Sequence, residues 1–244
     1  MVDLTYGRGA SLRPMKQRAR RKELARQEQT ASAARQYAGL GWPVCPGAHV
    51  PRAVPQWPER RPTAAYGVAR GCSCDRIGCP APGAHPVSPT WQMQASTDLA
   101  EVGRWWAAAP EANVILATGR VFDVLDVPLA AGLAALGPME RSQTQPGPVA
   151  ATVGGRALFF VATRGAPEVQ DEWWSCHLDC VPDDDMSETA GLRWHCRNSY
   201  VLAPPSRYGA GQAARWLRPP AGHPLPDAVR LLEHLADAMP EETL

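Results

Sequence analysis

The sequence predicts a mixed α+β fold, and three observations carry that expectation. Proline and glycine are plentiful, 25 and 21 of 244 residues, and break the chain into short elements, which excludes an all-helical fold. The hydrophobic period switches between helical and strand-like several times. Hairpin signals and helix signals both occur, the pattern of helices packed on sheet. A chain of this length buries one good core, with room for an appended element.

The elements follow in order. Residues 1 to about 14 carry no ordering pattern and are expected to be disordered. Lys16 to Leu40 is rich in Ala, Gln, Arg, Glu and Leu, has no Gly or Pro before Gly39, and reads as a helix ended by Gly39 and Gly41. Trp42-Pro43-Val44-Cys45 reads as a short strand, with Cys45 in the core, and Pro46 to Pro62 as loop. A cysteine cluster lies in an irregular stretch up to about Thr90. Thr97 or Asp98 caps the next helix, with Glu101 supporting the cap. Leu99, Val102 and Trp106 form its apolar face and Pro110 closes it. Asn113 to Ala117 and Val121 to Val127 are strands around Thr118-Gly119-Arg120, and Leu129 to Leu136 is a short helix. Val149 to Thr152 and Ala157 to Ala162 flank Gly154-Gly155 as a hairpin. Leu192 to Cys196 and Tyr200 to Ala203 read as a second strand pair around Arg197-Asn198-Ser199. The last helix runs from about Pro226 to Met239, with Val229, Leu232 and Ala236 on one face and Leu231 and Leu235 beside them.

The formal net charge is +1, so the chain is not basic overall. The charge is nevertheless uneven. Arg13, Lys16, Arg18, Arg20, Arg21, Lys22 and Arg26 crowd one stretch with Glu23 as its single acid. Such a stretch either contacts nucleic-acid phosphates or is a solvated helix or frayed tail. No run of 18 apolar residues occurs and the N-terminus lacks a signal-peptide apolar region, so no membrane span is expected and the cytoplasm is the expected location.

Seven cysteines are an odd number, and three of them fall within eight residues. In a cytosolic chain that clustering favours a metal over disulfides. Cys72, Cys74, Cys79 and His85 offer three thiolates and an imidazole, a set that suits tetrahedral Zn²⁺. Gly71, Gly78 and Gly83 let the chain turn around an ion. Four protein ligands leave no open position, so the role expected of this zinc is structural. The alternative is a set of free thiols. Cys176, His177, Cys180, His195 and Cys196 either bind a second ion or are core cysteines beside ordinary histidines.

Asp123 and Asp126 interrupt the otherwise apolar run Val121–Val127. Strand side chains alternate with period two, so these two point to opposite faces and are not a ready-made pair for one metal. A two-metal site favours acids at i and i+2 on one face, yet the position two after Asp126 is Pro128 and two after Asp123 is Leu125. Either the aspartates serve a site, or one caps a loop and the other is a relic or a structural hydrogen-bonder.

Taken in order, these stretches resemble the archaeo-eukaryotic primase superfamily. More narrowly, they resemble the bifunctional DNA primase/polymerase (prim-pol) N-terminal domain found on plasmids, in phages and widely in actinobacteria. The resemblance covers roughly residues 32 to 218. Ala34 to Val44, with Gly41-Trp42-Pro43-Val44, is similar to the family's opening helix and strand. The Cys72 to His85 run is similar to its zinc-binding insertion. Thr90-Trp91-Gln92, Thr97-Asp98, Arg104-Trp105-Trp106, Asn113 and Ala117-Thr118-Gly119 follow in family order. The Asp126 strand, the Gly154-Gly155 hairpin and Tyr200-Val201-Leu202-Ala203-Pro204-Pro205-Ser206 come next.

The resemblance implies a mixed sheet with flanking helices and a zinc-binding insertion. It implies template-directed nucleotidyl transfer, with carboxylates holding two Mg²⁺ or Mn²⁺ ions and a hairpin histidine on the nucleotide phosphates. The organisation it suggests is a basic N-terminal segment (1–30), a primase/polymerase-like domain (31–220, zinc insertion 70–90) and a C-terminal helix (221–244). Asp126 matches the first acid. The second falls on Pro128, the hairpin histidine on Ala157 in Val153-Gly154-Gly155-Arg156-Ala157, and the third acid near Arg193. Catalytic candidates are therefore Asp126 and, more weakly matched, Asp123. Arg156, Ser206 and Arg207 are the nucleotide or phosphate candidates. Lys16, Arg18, Arg20, Arg21 and Lys22, joined by Arg215 and Arg218, are the nucleic-acid candidates, and Trp173-Trp174 offers stacking surfaces.

Three functions compete. The first is a primase/polymerase-fold protein that no longer polymerises and binds nucleic acid, DNA rather than RNA, or serves a replication- or repair-related assembly with a protein partner. The second is an active nucleotidyltransferase using nucleotides and Mg²⁺ or Mn²⁺, drawing further acids from Asp179 or Asp183-Asp184-Asp185. The third is a zinc-stabilised protein-interaction module.

Overall fold

The structure, a computed structural model, describes residues 13–51, 71–74, 76, 79–163, 191–208 and 213–239. Two antiparallel sheets and flanking helices form a mixed α+β architecture. The smaller sheet has the order β1 (Val44–Gly47), β2 (Asn113–Ala117), β7 (Tyr200–Ala203). The larger has the order β6 (Arg193–His195), β3 (Phe122–Pro128), β5 (Arg156–Ala162), β4 (Val149–Ala151), β8 (Arg215–Arg218). The helices are α1 (Arg13–Gly39), α2 (Trp91–Gln94), α3 (Leu99–Ala108), α4 (Leu129–Arg141) and α5 (Ala228–Asp237).

One core joins the two sheets. Val44, Val114, Leu116 and Val201 of the smaller sheet pack with Phe122, Val124, Leu158 and Phe160 of the larger, along with Tyr37 of α1 and Trp106 of α3. Trp42 sits at its centre. Its indole stacks on Phe160 at 5.2 Å with an interplanar angle of 6°, and tilts against Phe122 at 4.7 Å. The buried Tyr37 hydroxyl donates to the Pro204 carbonyl (2.6 Å) and accepts from Trp216 Nε1 (2.8 Å). A polar tip inside an aromatic cluster is tolerable because both of its capacities are used.

The other face of the larger sheet carries Leu125, Val127, Phe159 and Val161, which α4 and α5 cover with Ala131, Ala135, Met139, Leu231 and Leu235. Gly132 allows the close approach: a Cβ there would lie 2.5 Å from that of Ala157. Alternation on β3 thus sends Phe122, Val124 and Asp126 to one core and Asp123, Leu125 and Val127 to the other.

Several boundaries differ from the sequence expectation for packing reasons. α4 runs through Pro138 to Arg141, because Met139 is fully buried in the second core. On α3 the Asp98 carboxylate caps Ala100 N and Glu101 N. Val102 and Trp106 are buried, whereas Leu99 is 53% exposed. On α5 the buried face is Ala228, Leu231 and Leu235, and Val229 points outward. α1 begins at Arg13 and meets the core only from Thr30 onward.

The larger correction concerns pairing. Residues 192–196 and 200–203 do not form a strand pair. β6 pairs with β3 and β7 with β2, so the chain changes sheet between them. β2 and β3 likewise belong to different sheets. The two crossovers, 118–121 and 196–199, lie back to back. Thr118 N donates to Ser199 O (3.0 Å) and Thr118 Oγ1 to Cys196 O (2.5 Å). Gly119, at φ +78°, sits where a Cβ would be 2.2 Å from Arg197 Cα. The glycine lets one crossover rest on the backbone of the other.

Candidate functional site

The cysteine loop docks on the outer edge of β1. Gly47 bridges Pro86, Ala48 N donates to His85 O (2.7 Å), and His49 exchanges hydrogen bonds with Ser73. The loop therefore covers backbone that an edge strand would expose. The ligand atoms of Cys72, Cys74, Cys79 and His85 all lie within 4.8 Å of one another, a group that could hold a metal. His85 Nε2 is 3.4 Å from both Cys72 Sγ and Cys79 Sγ. His85 Nδ1 is 2.8 Å from the Pro86 carbonyl, the geometry of an Nδ1–H donor that presents the Nε2 lone pair to an ion. The Cys74 thiol is lowered to about 7, first by the backbone N–H of Arg76, whereas burial first pushes the neighbouring Cys79 thiol up to about 11. This is the one such group among the described residues.

Asn113 at the start of β2 ties the loop to the domain. Its buried Nδ2 reaches the carbonyls of Ala48 (3.0 Å), Gly83 (2.8 Å) and Arg207 (2.8 Å), and its Oδ1 accepts from Arg207 N (3.0 Å). Sequence order singles Asn113 out; its role as the junction of three segments is visible only in the structure.

The acidic strand lies between β6 and β5 in the larger sheet. Asp126 is paired in register with Leu158 on β5 and with Arg193 on β6. Its carboxylate is 8% exposed and meets two partners. Arg156 Nε donates to Oδ1 at 2.7 Å, and His195 Nε2 is 3.3 Å from Oδ2. Arg156 also donates to the carbonyls of Asp126 (3.0 Å) and Gly191 (2.9 Å). His195 Nδ1 faces Ser199 Oγ at 3.0 Å. Burial pushes the Asp126 carboxyl up, but His195 and Arg156 outweigh it and hold the group below its ordinary value. Tyr208, nearby, is pushed up to about 12, by burial first and then by the Asp126 charge.

Asp123 is on the opposite face, as period-two alternation requires, and accepts from Trp194 Nε1 at 3.2 Å. The two aspartates therefore share no site. Ser206 is buried. Its hydroxyl accepts from Val114 N (2.7 Å) and lies 3.3 Å from Val114 O, which ties the Pro204-Pro205 turn to β2. Arg207 lies beside it, bonded through its backbone to Asn113. Arg18, Arg20, Arg21 and Lys22 are exposed on the solvated half of α1; Lys16 lies on the same helix. Arg215 and Arg218 belong to β8, where the Arg218 Nε donates to Gly147 O. Trp173, Trp174, Cys176, His177, Asp179, Cys180 and Asp183 to Asp185 lie outside the described residues.

Sequence reasoning missed both partners of Asp126: Arg156, which it gave to nucleotide phosphates, and His195. His195 stands next to Cys196 in the sequence, but the β3–β6 register turns it to the Asp126 face. Periodicity could have predicted that only if the β3–β6 pairing were known.

The family model described as bifunctional DNA primase/polymerase, N-terminal (Prim-Pol) matches residues 34–228. The chain belongs to the Prim-Pol family. None of the curated proteins matches it with significance. The cysteine loop of this Prim-Pol domain fits a zinc ion in ligand type, spacing and histidine orientation. On the Asp126 face of β3 no second carboxylate stands among the described residues. Asp126 is already bound by a guanidinium, the i+2 position is Pro128, and the residue in register on β6 is Arg193. Among the described residues no helix is long and apolar enough to cross a membrane.

Proposed function

We propose that this Prim-Pol domain binds nucleic acid in the cytoplasm, DNA rather than RNA, without performing nucleotidyl transfer. It would serve a replication- or repair-related assembly, with one structural zinc held by Cys72, Cys74, Cys79 and His85. The observation that carries the reading is the Asp126–Arg156 pair at 2.7 Å, 8% exposed on each side. A buried carboxylate needs a positive neighbour. Here that charge is a covalent part of the chain, so the oxygens that would face a metal accept hydrogen bonds instead. Arg193, in register across the strand, adds a second cation where a further acid would be needed. The family supports contact with nucleotides and nucleic acid in general. The solvated cationic turns of α1, from Arg18 to Lys22, supply phosphate-binding charge outside the buried pair.

The test is primer synthesis and extension by zinc-loaded protein on single-stranded templates. Both nucleotide types are supplied with Mg²⁺ or Mn²⁺, beside Asp126→Ala and Asp123→Ala. No product, together with DNA binding that weakens steeply with salt, is the expected result. Neutralising Arg18, Arg20, Arg21 and Lys22 should flatten the salt slope by about 0.7 for each single-strand phosphate that the protein ceases to neutralise. Product that disappears in Asp126→Ala would overturn the reading. Binding that ignores salt would point instead to a protein-interaction module.

A further inference from the structure

The two crossovers enclose a cleft of about 390 Å³ at the opposite end of β3 from Arg156. That size lies within the range of small-molecule sites, roughly 300–1,000 Å³. Its walls include Trp91, Gln92, Thr118, Arg120, Arg197 and Asn198, and no carboxylate among the described residues lines it. The described lining thus carries two guanidiniums and no acid, in a chain whose net charge is only +1.

The donors differ in how they are held. Arg120 bonds the carbonyls of Gln92 and Ala95 and is fixed against α2. The side chains of Arg197, Gln92 and Asn198 make no hydrogen bond or ion pair among the described residues. Arg197 and Asn198 sit on the exposed crossover, Asn198 at φ 65°. The tight turn that brings them to the rim is braced from behind by Gly119 and Thr118. Trp91 is half-buried and set edge-on to Tyr200 (5.2 Å, 78°), so its indole is a rigid wall.

We propose that this cleft binds a nucleoside phosphate. The phosphates would meet Arg197 and Arg120, and the base would lie against Trp91 with Gln92 or Asn198 at its polar edge. Guanidinium forks suit phosphate oxygens, and an aromatic wall suits any base because every base has a π-face. Phosphate alone uses only half of what the cleft offers. The site is separate from Asp126 and Arg156, so it stands whether or not the acidic strand is catalytic and whether or not α1 binds polymeric DNA.

The experiment is calorimetric titration of the full-length, zinc-loaded protein with dATP and, separately, with tripolyphosphate. Both are run in low salt without divalent ions. The expected result is that dATP binds more tightly than tripolyphosphate. Arg197→Glu, at an exposed position whose side chain bonds to none of the described residues, should weaken both by about tenfold or more. Trp91→Leu should reduce dATP to the tripolyphosphate level and leave tripolyphosphate unchanged. No binding of dATP at millimolar concentration would overturn the proposal, as would binding that Arg197→Glu leaves intact. If dATP and tripolyphosphate bind equally in wild type, the aromatic half of the proposal is wrong. Because Trp91 also packs on Tyr200, the melting temperature of each variant is measured alongside. A Trp91→Leu protein that melts with wild type but loses the dATP preference supports the site, and one that melts with wild type and keeps it refutes the site.

Discussion

Replacing Arg156 with Ala should be among the most damaging single changes in the domain. The Asp126 carboxylate would stay in the sheet at 8% exposure with its 2.7 Å partner gone. The Asp126 and Gly191 carbonyls would lose donors at 3.0 and 2.9 Å. Breaking one side of a buried ion pair costs about 3–5 kcal/mol. For a chain of this size each kcal/mol moves the melting temperature by about 2–4 °C, giving a fall of roughly 6–20 °C. The counter-experiment is Asp126→Leu with Arg156→Met. Removing both charges while keeping their volume should recover most of that loss, short of what the Asp126 and Gly191 carbonyls lose with the guanidinium. The sign of the pH dependence follows from the same contact. The folded-state pKa of Asp126 is held below its unfolded value of about 3.9. Its contribution is therefore present above about pH 4 and lost as pH falls through the folded pKa. The double variant should lose that part of the acid limb. Urea unfolding at pH 7 and pH 3 measures both quantities in one double-mutant cycle. If Arg156→Ala costs under about 1 kcal/mol, or the coupling energy is near zero, the pair is not the closed, dry contact described above.

Three further outcomes are expected. Purified protein should carry one zinc by elemental analysis, and removing it by chelation or by Cys79→Ser should lower the melting temperature while exposing the β1 edge to hydrogen exchange. Gly119→Ala should cost more than about 2 kcal/mol in urea unfolding, since its Cβ would meet Arg197 backbone at 2.2 Å from a left-handed φ of +78°. Tyr37→Phe removes the bridge between Pro204 O and Trp216 Nε1. It should cost about 1–3 kcal/mol, the penalty of leaving buried polar groups unpartnered, read from chemical denaturation.

What the sequence makes legible here is local. The Asp98 cap, the Gly154-Gly155 hairpin and the opposite facing of Asp123 and Asp126 each follow from spacing within one element, and the structure has all three. The cysteine cluster is legible for the same reason, with its four ligands inside fourteen residues. Pairing between distant strands is not. A turn such as Arg197-Asn198-Ser199 has the composition of a hairpin. Whether it closes one or passes between sheets depends on β2 and β3, some eighty residues earlier. The same gap hid His195 from Asp126. β8 is obscure because one of its residues faces each core, Trp216 the first and Leu217 the second, so four residues carry no period to read.

The acidic strand also allows the logic of its charges to be run in reverse. Asp126 is buried and needs one positive neighbour; Arg156 supplies it, and Arg193 stands in register on the other side. If cation-binding capacity is missing because guanidiniums stand where carboxylates would be needed, exchanging them should create it. Arg156→Gln with Arg193→Asp would leave two carboxylates facing each other across β3 and β6 with no guanidinium between them. Two such groups cannot both ionise at close range without a cation. The variant should therefore be less stable than wild type in chelator, and be stabilised by added Mn²⁺. For a dissociation constant of about 1 mM, 10 mM Mn²⁺ gives about 1.4 kcal/mol, or roughly 3–6 °C in melting temperature. Wild type should show no such shift once zinc is saturated, because its carboxylate already has a counter-ion. Equal shifts in wild type and variant would place Mn²⁺ binding elsewhere. A variant that folds but does not respond would mean that charge alone does not keep a cation from Asp126, and that Pro128, which ends the strand two residues beyond it, holds the backbone where a second ligand cannot reach.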